Sequence, residues 1–361
     1  MDSKLQKITE LSRDPMLAAE DGKLVFLNAA ARKLFPKAEV GTPARELIPE
    51  YILYAQSESF LSSAVIDDEA YTVSALRDGD TLLLSLTAMK STSELRGCLS
   101  DGLISSMTSA LFNIGLSMDH ISAQSERKDP ELEKYFTAFS HNYYSLNHRI
   151  SNLNMLCAFS EGSMSVVRRY ADLAVLCRDL AASVNLMIGD NAPQVEFLCA
   201  VESLSACVDT PKVERLILNL LSNALKYTPK GGYVRLRLAK SGGNAVISVD
   251  DSGCGISPEK LKTVFSSYEN RLDEQSLTDP GTGGLGLGIC SWIARKHGGA
   301  MILESREGEG TSVRVLLPLS QPGDTALRSE LSHYENGGMG LLLTELCDVL
   351  TADAYQPKYL D

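Results

Sequence analysis

The sequence predicts an α+β chain built in consecutive parts, on three observations. Short apolar runs broken by Gly-containing turns open the chain, and two seams of apolar residues at alternating spacings of three and four fill its middle. Strand-like and helix-like segments then interleave through the second half. The expected parts are a small sheet-and-helix domain over 1–90, an antiparallel helical hairpin over 91–162, a larger mixed domain over 163–320, and a tail over 321–361 with an amphipathic helix. At 361 residues the chain is long enough for two or three separate cores.

In the first part, an apolar strand after Pro15 meets the turn Glu20, Asp21, Gly22, and a second strand follows over 24–27. Asn28 then stands where an N-cap belongs, before an Ala-rich helix. Residues 70–76 and 81–86 flank the turn Arg77, Asp78, Gly79, Asp80, which is a hairpin signal. This pattern and order resemble a small PAS-like sensor domain. A dimerising module with a filled core is the competing reading.

The middle part carries Ile104, Met107, Leu111, Ile114, Met118 and Ile121 on one seam, and Leu132, Phe136, Phe139, Tyr143, Leu146, Ile150, Leu153 and Cys157 on the other. The polar stretch 125–130 joins them as a turn. One seam per helix cannot be buried by the hairpin alone. Pairing with a second copy into a four-helix bundle, hence a homodimer, is the natural solution. In that register His141 and His148 both take the outward f position.

Beyond the hairpin, residues 170–187 have helical spacing and end at Gly189 and Asp190, and 194–200 and 205–208 read as strands. Four short signals follow in order. A helix over 211–227 carries Asn219, Asn223, Lys226 and Tyr227; a strand over 246–249 runs into Asp251, Gly253 and Gly255. Gly281, Gly283 and Gly284 then precede a helix over 285–297 whose first turn carries Gly286 and Gly288, and Gly308, Gly310 and Thr311 precede a strand over 313–317. Asn219 and Asn223 lie four apart, on one helix face, and glycines free a backbone to approach phosphate.

These signals resemble the N, G1, G2 and G3 boxes of the GHKL-type (Bergerat) ATP-binding α/β sandwich of sensor histidine kinases. The resemblance implies ATP and Mg²⁺ as cofactors and makes 163–320 the ATP-binding domain. Asn219 and Asn223 are then the Mg²⁺ ligands, with Asn219 at a catalytic position and Lys226 reaching a phosphate beside Tyr227. Asp251, with Gly253 and Gly255, would select adenine. The polar stretch 266–280 would be a lid, with Phe265 before it and Arg271 on phosphate. Gly284, Leu285, Gly286 and Leu287 would present amides to the anion, and Thr311 would border adenine.

The resemblance also exposes departures. Relatives in this superfamily that hydrolyse ATP use a Glu four residues before the essential Asn, and here that place is Asn219, which cannot act as a base. The phosphoacceptor His of the family's first hairpin helix falls on Ser105, and serine cannot form a phosphoramidate. His141, His148 and His120 are the alternatives, with His141 leading. Two functions are therefore carried forward. One is an ATP-dependent protein histidine kinase that phosphorylates a His of its own hairpin, with a response regulator or other signalling protein as partner. The other is an ATP-responsive dimeric scaffold without kinase activity.

Gly281 to Gly286 also satisfy the dinucleotide fingerprint, but the preceding residues are polar where that motif needs a strand. A phosphate-binding loop ending in Gly-Lys-Ser/Thr is absent from the sequence. The net charge of −12 argues against a nucleic-acid partner bound through phosphates. No apolar run of about eighteen residues occurs, which argues against a membrane span and for a cytoplasmic protein. The eight cysteines form no C-x-x-C pair and are expected as buried, reduced thiols.

Overall fold

The computed structural model describes residues 12–55, 58–66, 69–88, 107–111, 113–115, 130–160, 165–189, 192–257, 261, 284–319 and 338–355. Local chemistry decides the first turn. Asp21 and Gly22 both take positive φ, 50° and 72°, so β1 (Met16–Glu20) and β2 (Lys23–Leu27) are joined by a turn whose hand matches strand twist. Asn28 caps α1 (Ala29–Leu34) by accepting from the Ala31 N–H at 2.8 Å, and the same Oδ1 accepts from the Met16 N–H at 3.0 Å. One buried side chain thus fixes both the helix start and the strand beside it.

The single-turn helix α2 (Glu50–Leu53) leads to β3 (Ser59–Ile66), β4 (Glu69–Asp78) and β5 (Thr81–Ala88), with strand order β2-β1-β5-β4-β3. Leu17, Leu24, Phe60, Val73, Leu84 and Leu86 face Ile48 and Ile52 to form this core. Of the first hairpin seam, 107–111 and 113–115 are described and are helical, and Leu111 packs on Ile150. The second seam forms α3 (Pro130–Ser160).

β6 (Arg169–Asp172) pairs antiparallel with β8 (Ser205–Val208), and α4 (Leu173–Ile188) lies between them in sequence. The helix expected from 170 therefore begins at Leu173. Strand pairing takes the first residues, and Asp172 caps the helix by accepting from the Ala174 N–H at 2.8 Å. β7 (Val195–Cys199), α5 (Thr210–Tyr227), β9 (Val234–Ser241), β10 (Asn244–Asp251), α6 (Gly284–Lys296), β11 (Ala300–Arg306) and β12 (Gly310–Pro318) complete the unit. Its strand order is β7-β9-β10-β12-β11, with only β7 and β9 parallel. α5 packs on α6 and on α4, and Leu216, Ile217, Leu220, Leu221 and Leu225 are buried in this second core.

The two sheets are continuous, a junction the sequence reading does not anticipate. β11 pairs antiparallel with β3, Ile302 opposite Ser62 and Leu303 opposite Leu61, giving one ten-stranded sheet. Ser62 Oγ donates to the Met301 carbonyl at 3.0 Å, and Ser291 Oγ donates to Ser63 Oγ at 3.0 Å. Each side also lends a residue to the other: Ile302 belongs to the first core and Leu61 to the second.

The last described segment begins with α7 (Gly338–Glu345). The amphipathic helix expected over 341–350 is displaced: it starts earlier, and residues 346–349 are turns. Leu342, Leu343, Thr344, Glu345, Leu346 and Cys347 are all buried, because α7 packs between α3 and α5 and is covered on more than one side. Among the described residues no helix is long and apolar enough to cross a membrane.

Candidate nucleotide site

α5 supplies the first side chains. Asp209 caps it, accepting from the Lys212 N–H, and Pro211 sits in the first turn, where its missing N–H costs nothing. Asp209 Oδ2 also accepts from Lys212 Nζ at 2.6 Å and from the Val167 N–H at 3.0 Å. Its own N–H donates to His297 Nε2 at 2.9 Å, while His297 Nδ1 lies 2.8 Å from the Ile293 carbonyl, which accepts its proton. Burial holds this imidazole below its ordinary pKa of 6.5. The sequence reading missed this pin between α5 and α6; Asp209 ahead of Thr210 and Pro211 was the signal for its helix end.

Nearly three turns further along α5, Asn219 is buried and Asn223 Nδ2 donates to its Oδ1 at 3.3 Å. Gly286 of α6 comes down on the same amide: a Cβ there would stand 2.2 Å from Asn219 Oδ1. With Asn219 held where it is, a side chain at 286 would collide with it, so the first and third sequence signals meet by contact. Gly284 and Leu285 begin α6, and Leu287 is buried. Lys226 does not point to open solvent as a free cation. Its Nζ lies 2.7 Å from Asp348 Oδ2, beyond α7. Partial burial disfavours its charge, but the Asp348 hydrogen bond and charge prevail and raise its pKa; Asp348 is correspondingly lowered against its own burial.

The Tyr227 carbonyl accepts from the Cys254 N–H at 3.3 Å, which ties the end of α5 to the loop after β10. In that loop Asp251 Oδ1 accepts from the Gly253 N–H at 2.8 Å and from the Thr311 N–H at 3.3 Å. Burial raises the Asp251 pKa, and the two amide bonds pull against it. Gly255 has φ +65°, and a Cβ on it would meet the Arg306 carbonyl at 1.9 Å, so this turn is closed to other residues. Ser305, which the sequence reading did not single out, holds the floor. Its Oγ accepts from the Ile256 N–H at 2.8 Å, donates to the Gly310 carbonyl at 2.9 Å, and lies 2.9 Å from Thr311 Oγ1. Cys254 is exposed here, against the expectation of buried thiols; Cys177, Cys290 and Cys347 are buried.

Two expectations change at the hairpin. His141 and His148 do not face outward, because a heptad register knows only the partner helix and α7 was not in it. His141 stands edge-on to the Tyr355 ring, centroids 5.5 Å apart, and His148 Nδ1 lies 2.9 Å from the Thr344 carbonyl. Ser105, His120, Phe265, Arg271, the stretch 266–280, Gly281 and Gly283 lie outside the described residues.

Part of the chain is similar to known proteins. Residues 208–321 match the family described as histidine kinase-, DNA gyrase B- and HSP90-like ATPase. The sensor histidine kinase TmoS of Ectopseudomonas mendocina is 33% identical over 219 residues, 59% of this chain and 22% of that protein. The histidine protein kinase DivJ of Caulobacter vibrioides is 42% identical over 116 residues, 32% of this chain and 19% of that protein. The chain thus spans about a fifth of the length of these curated relatives. Among solved structures, a mycobacterial sensor histidine kinase, MprB, aligns with 42% of this chain and 98% of its own, at 29% identity and a TM-score of 0.35.

Proposed function

We infer, from a chain whose residues 208–321 belong to the histidine kinase-, DNA gyrase B- and HSP90-like ATPase family, that it is a sensor-histidine-kinase-like signalling protein that binds ATP with Mg²⁺. The observation that carries this is the meeting of the sequence signals: Asn219 against Gly286, and Asp251 bonded to Gly253 and Thr311. Asp251 Oδ1 is occupied by two amides, which leaves Oδ2 to accept from an exocyclic amine, as adenine has and guanine lacks at that position. Asn219 and Asn223 offer neutral amide oxygens to a Mg²⁺ that keeps water and phosphate as its other ligands. The ion would spread the charge of the phosphates. Lys226 holds a phosphate oxygen, Gly284 to Leu287 present α6 amides, and Thr311 borders the base, with Gly255 closing the turn.

In the same reading, residues 1–90 are a PAS-like input domain, supported by the strand order 2-1-5-4-3. The hairpin dimerises the chain in the cytoplasm, and a response regulator or other signalling protein receives the output. Calorimetric titration with Mg²⁺·ATP against Mg²⁺·GTP tests the pocket. Binding of ATP with at least about tenfold preference, lost in Asp251→Asn, is expected; equal binding of the two would overturn it. Incubation with γ-labelled ATP tests transfer: acid-labile, base-stable label that disappears in His141→Gln assigns the kinase.

A second reading, an ATP-responsive scaffold without kinase activity, is favoured by two observations. Ser105 stands at the family's acceptor position, and His141 is half-buried with the Tyr355 ring edge-on against it. Absence of any stable label while ATP binds would select it.

A further inference from the structure

Residues 338–355 touch three pieces of the candidate machinery at once. Asp348 holds Lys226 at 2.7 Å. Tyr355, fully buried, caps His141 and lies 5.7 Å from the Tyr144 ring, and its hydroxyl donates to the Leu343 carbonyl at 3.3 Å. Glu345, 1% exposed, lies 2.9 Å from Arg215 Nε on α5 and 3.8 Å from His148 on α3. Arg215 also donates to Ser151 Oγ at 2.8 Å and to Asn152 Oδ1 at 2.7 Å, so the segment, α3 and α5 share one guanidinium.

We propose that residues 338–355 form an autoinhibitory strap that occupies Lys226 and covers His141 until the phosphates of Mg²⁺·ATP take Lys226 from Asp348. This deepens the nucleotide reading above and rests on it. Holding both would set Asp348 and a phosphate side by side as like charges, so the two compete for Lys226, and a triphosphate offers more negative charge than one carboxylate. While the strap is seated, α3 is fixed on α5 and the Tyr355 ring stands against one side of the half-buried His141, which narrows the approach of a γ-phosphate.

The strap is also built to let go. Its polar contacts are imperfect: Arg215 Nε approaches Glu345 at ion-pair distance without hydrogen-bond alignment, and Glu345 Oε2 makes no hydrogen bond among the described residues. A buried carboxylate so poorly matched recovers little of its desolvation cost. The Asp348 side chain is 49% exposed, so its pair with Lys226 is worth little more than a surface contact. Leu342, Leu343 and Leu346 supply the apolar hold.

The test compares the full-length chain with Asp348→Asn, a conservative change at a half-exposed position. Calorimetry is run with Mg²⁺·ATP and with adenosine, which has the base but no phosphate. The variant is expected to bind Mg²⁺·ATP about threefold to fivefold more tightly, with adenosine affinity unchanged. In the wild-type chain, hydrogen exchange of the amides over 340–350 is expected to speed up about tenfold with saturating Mg²⁺·ATP and to stay unchanged with adenosine. Equal Mg²⁺·ATP affinity in the two proteins, or amides that stay protected when ATP binds, overturns the strap alone. Failure of both proteins to bind Mg²⁺·ATP overturns the nucleotide reading and the strap with it.

Discussion

Two of the junctions that hold the unit carrying the candidate nucleotide site to the rest of the chain are opposite in character. At the seam between β3 and β11 the contact is a backbone ladder flanked by exchanged apolar residues, Leu61 in one core and Ile302 in the other. At the strap, side-chain charges make the specific contacts, Glu345 with Arg215 and Asp348 with Lys226. Breaking the seam exposes paired backbone groups and apolar surface together, with nothing to take their place. Breaking the strap also uncovers Leu342, Leu343, Leu346 and Tyr355, but there water offsets part of the loss by taking back the ions of Glu345 and Asp348. A chain that must stay assembled yet respond would use the first bond as a hinge pin and the second as a catch.

The largest expected effect tests whether the seam is permanent. Leu61→Ala removes a side chain 2% exposed in the second core and is expected to cost about 3 kcal/mol. Urea unfolding should shift as a single transition, since both cores lose together; two separated transitions would break the comparison. Next comes Glu345→Ala. In a permanently buried pair this would cost about 3 to 5 kcal/mol. At a releasable strap the loss is capped, because the strap leaves and Arg215 rehydrates. The expected loss is therefore no more than about 2 kcal/mol, with exchange over 338–350 quickened well beyond the rest of the chain.

A smaller effect separates both junctions from the domain behind them. His297 is buried neutral, with a folded pKa below 6.5, so its contribution is complete above 6.5 and is lost as pH falls below it. Thermal melts from pH 7.5 to 5 should show a loss of stability that is absent in His297→Gln. The smallest effect belongs to the exposed pair Arg306 and Glu58 at the rim of the seam, 2.7 Å apart. Glu58→Ala should stay within about 0.5 kcal/mol by the same urea measurement, and more would mean that charge also helps hold the seam.

What was legible in the sequence is what short-range chemistry encodes. Asn28 announces a helix start because a cap and its amide lie within three residues, and the Asp21, Gly22 turn announces a hairpin for the same reason; Asp172 and Asp209 carry the same local signal, although the expected helices begin at 170 and 211 instead. The site was legible through its glycines, since Gly255 and Gly286 mark places where another segment arrives. Which segment arrives is not written locally. Nothing about Ser62 names Met301, 239 residues away, as its partner, and Lys226 and Asp348 are 122 residues apart. Heptad counting placed His141 outward because it reckons with two helices, and the third object against it is a tyrosine from far down the chain. Ser305 carries no pattern as an isolated serine in a strand, although its hydroxyl joins the loop after β10 to the start of β12.

The shared ladder bears on how this molecule can be taken apart. A fragment kept from residue 163 to 319 would leave β11 as a raw margin, its donors and acceptors open along one side and Ile302 stripped of its surroundings. Such a margin recruits whatever strand is nearest, and in a tube of identical fragments that is another β11. Fragments of this kind should therefore associate edge to edge and precipitate.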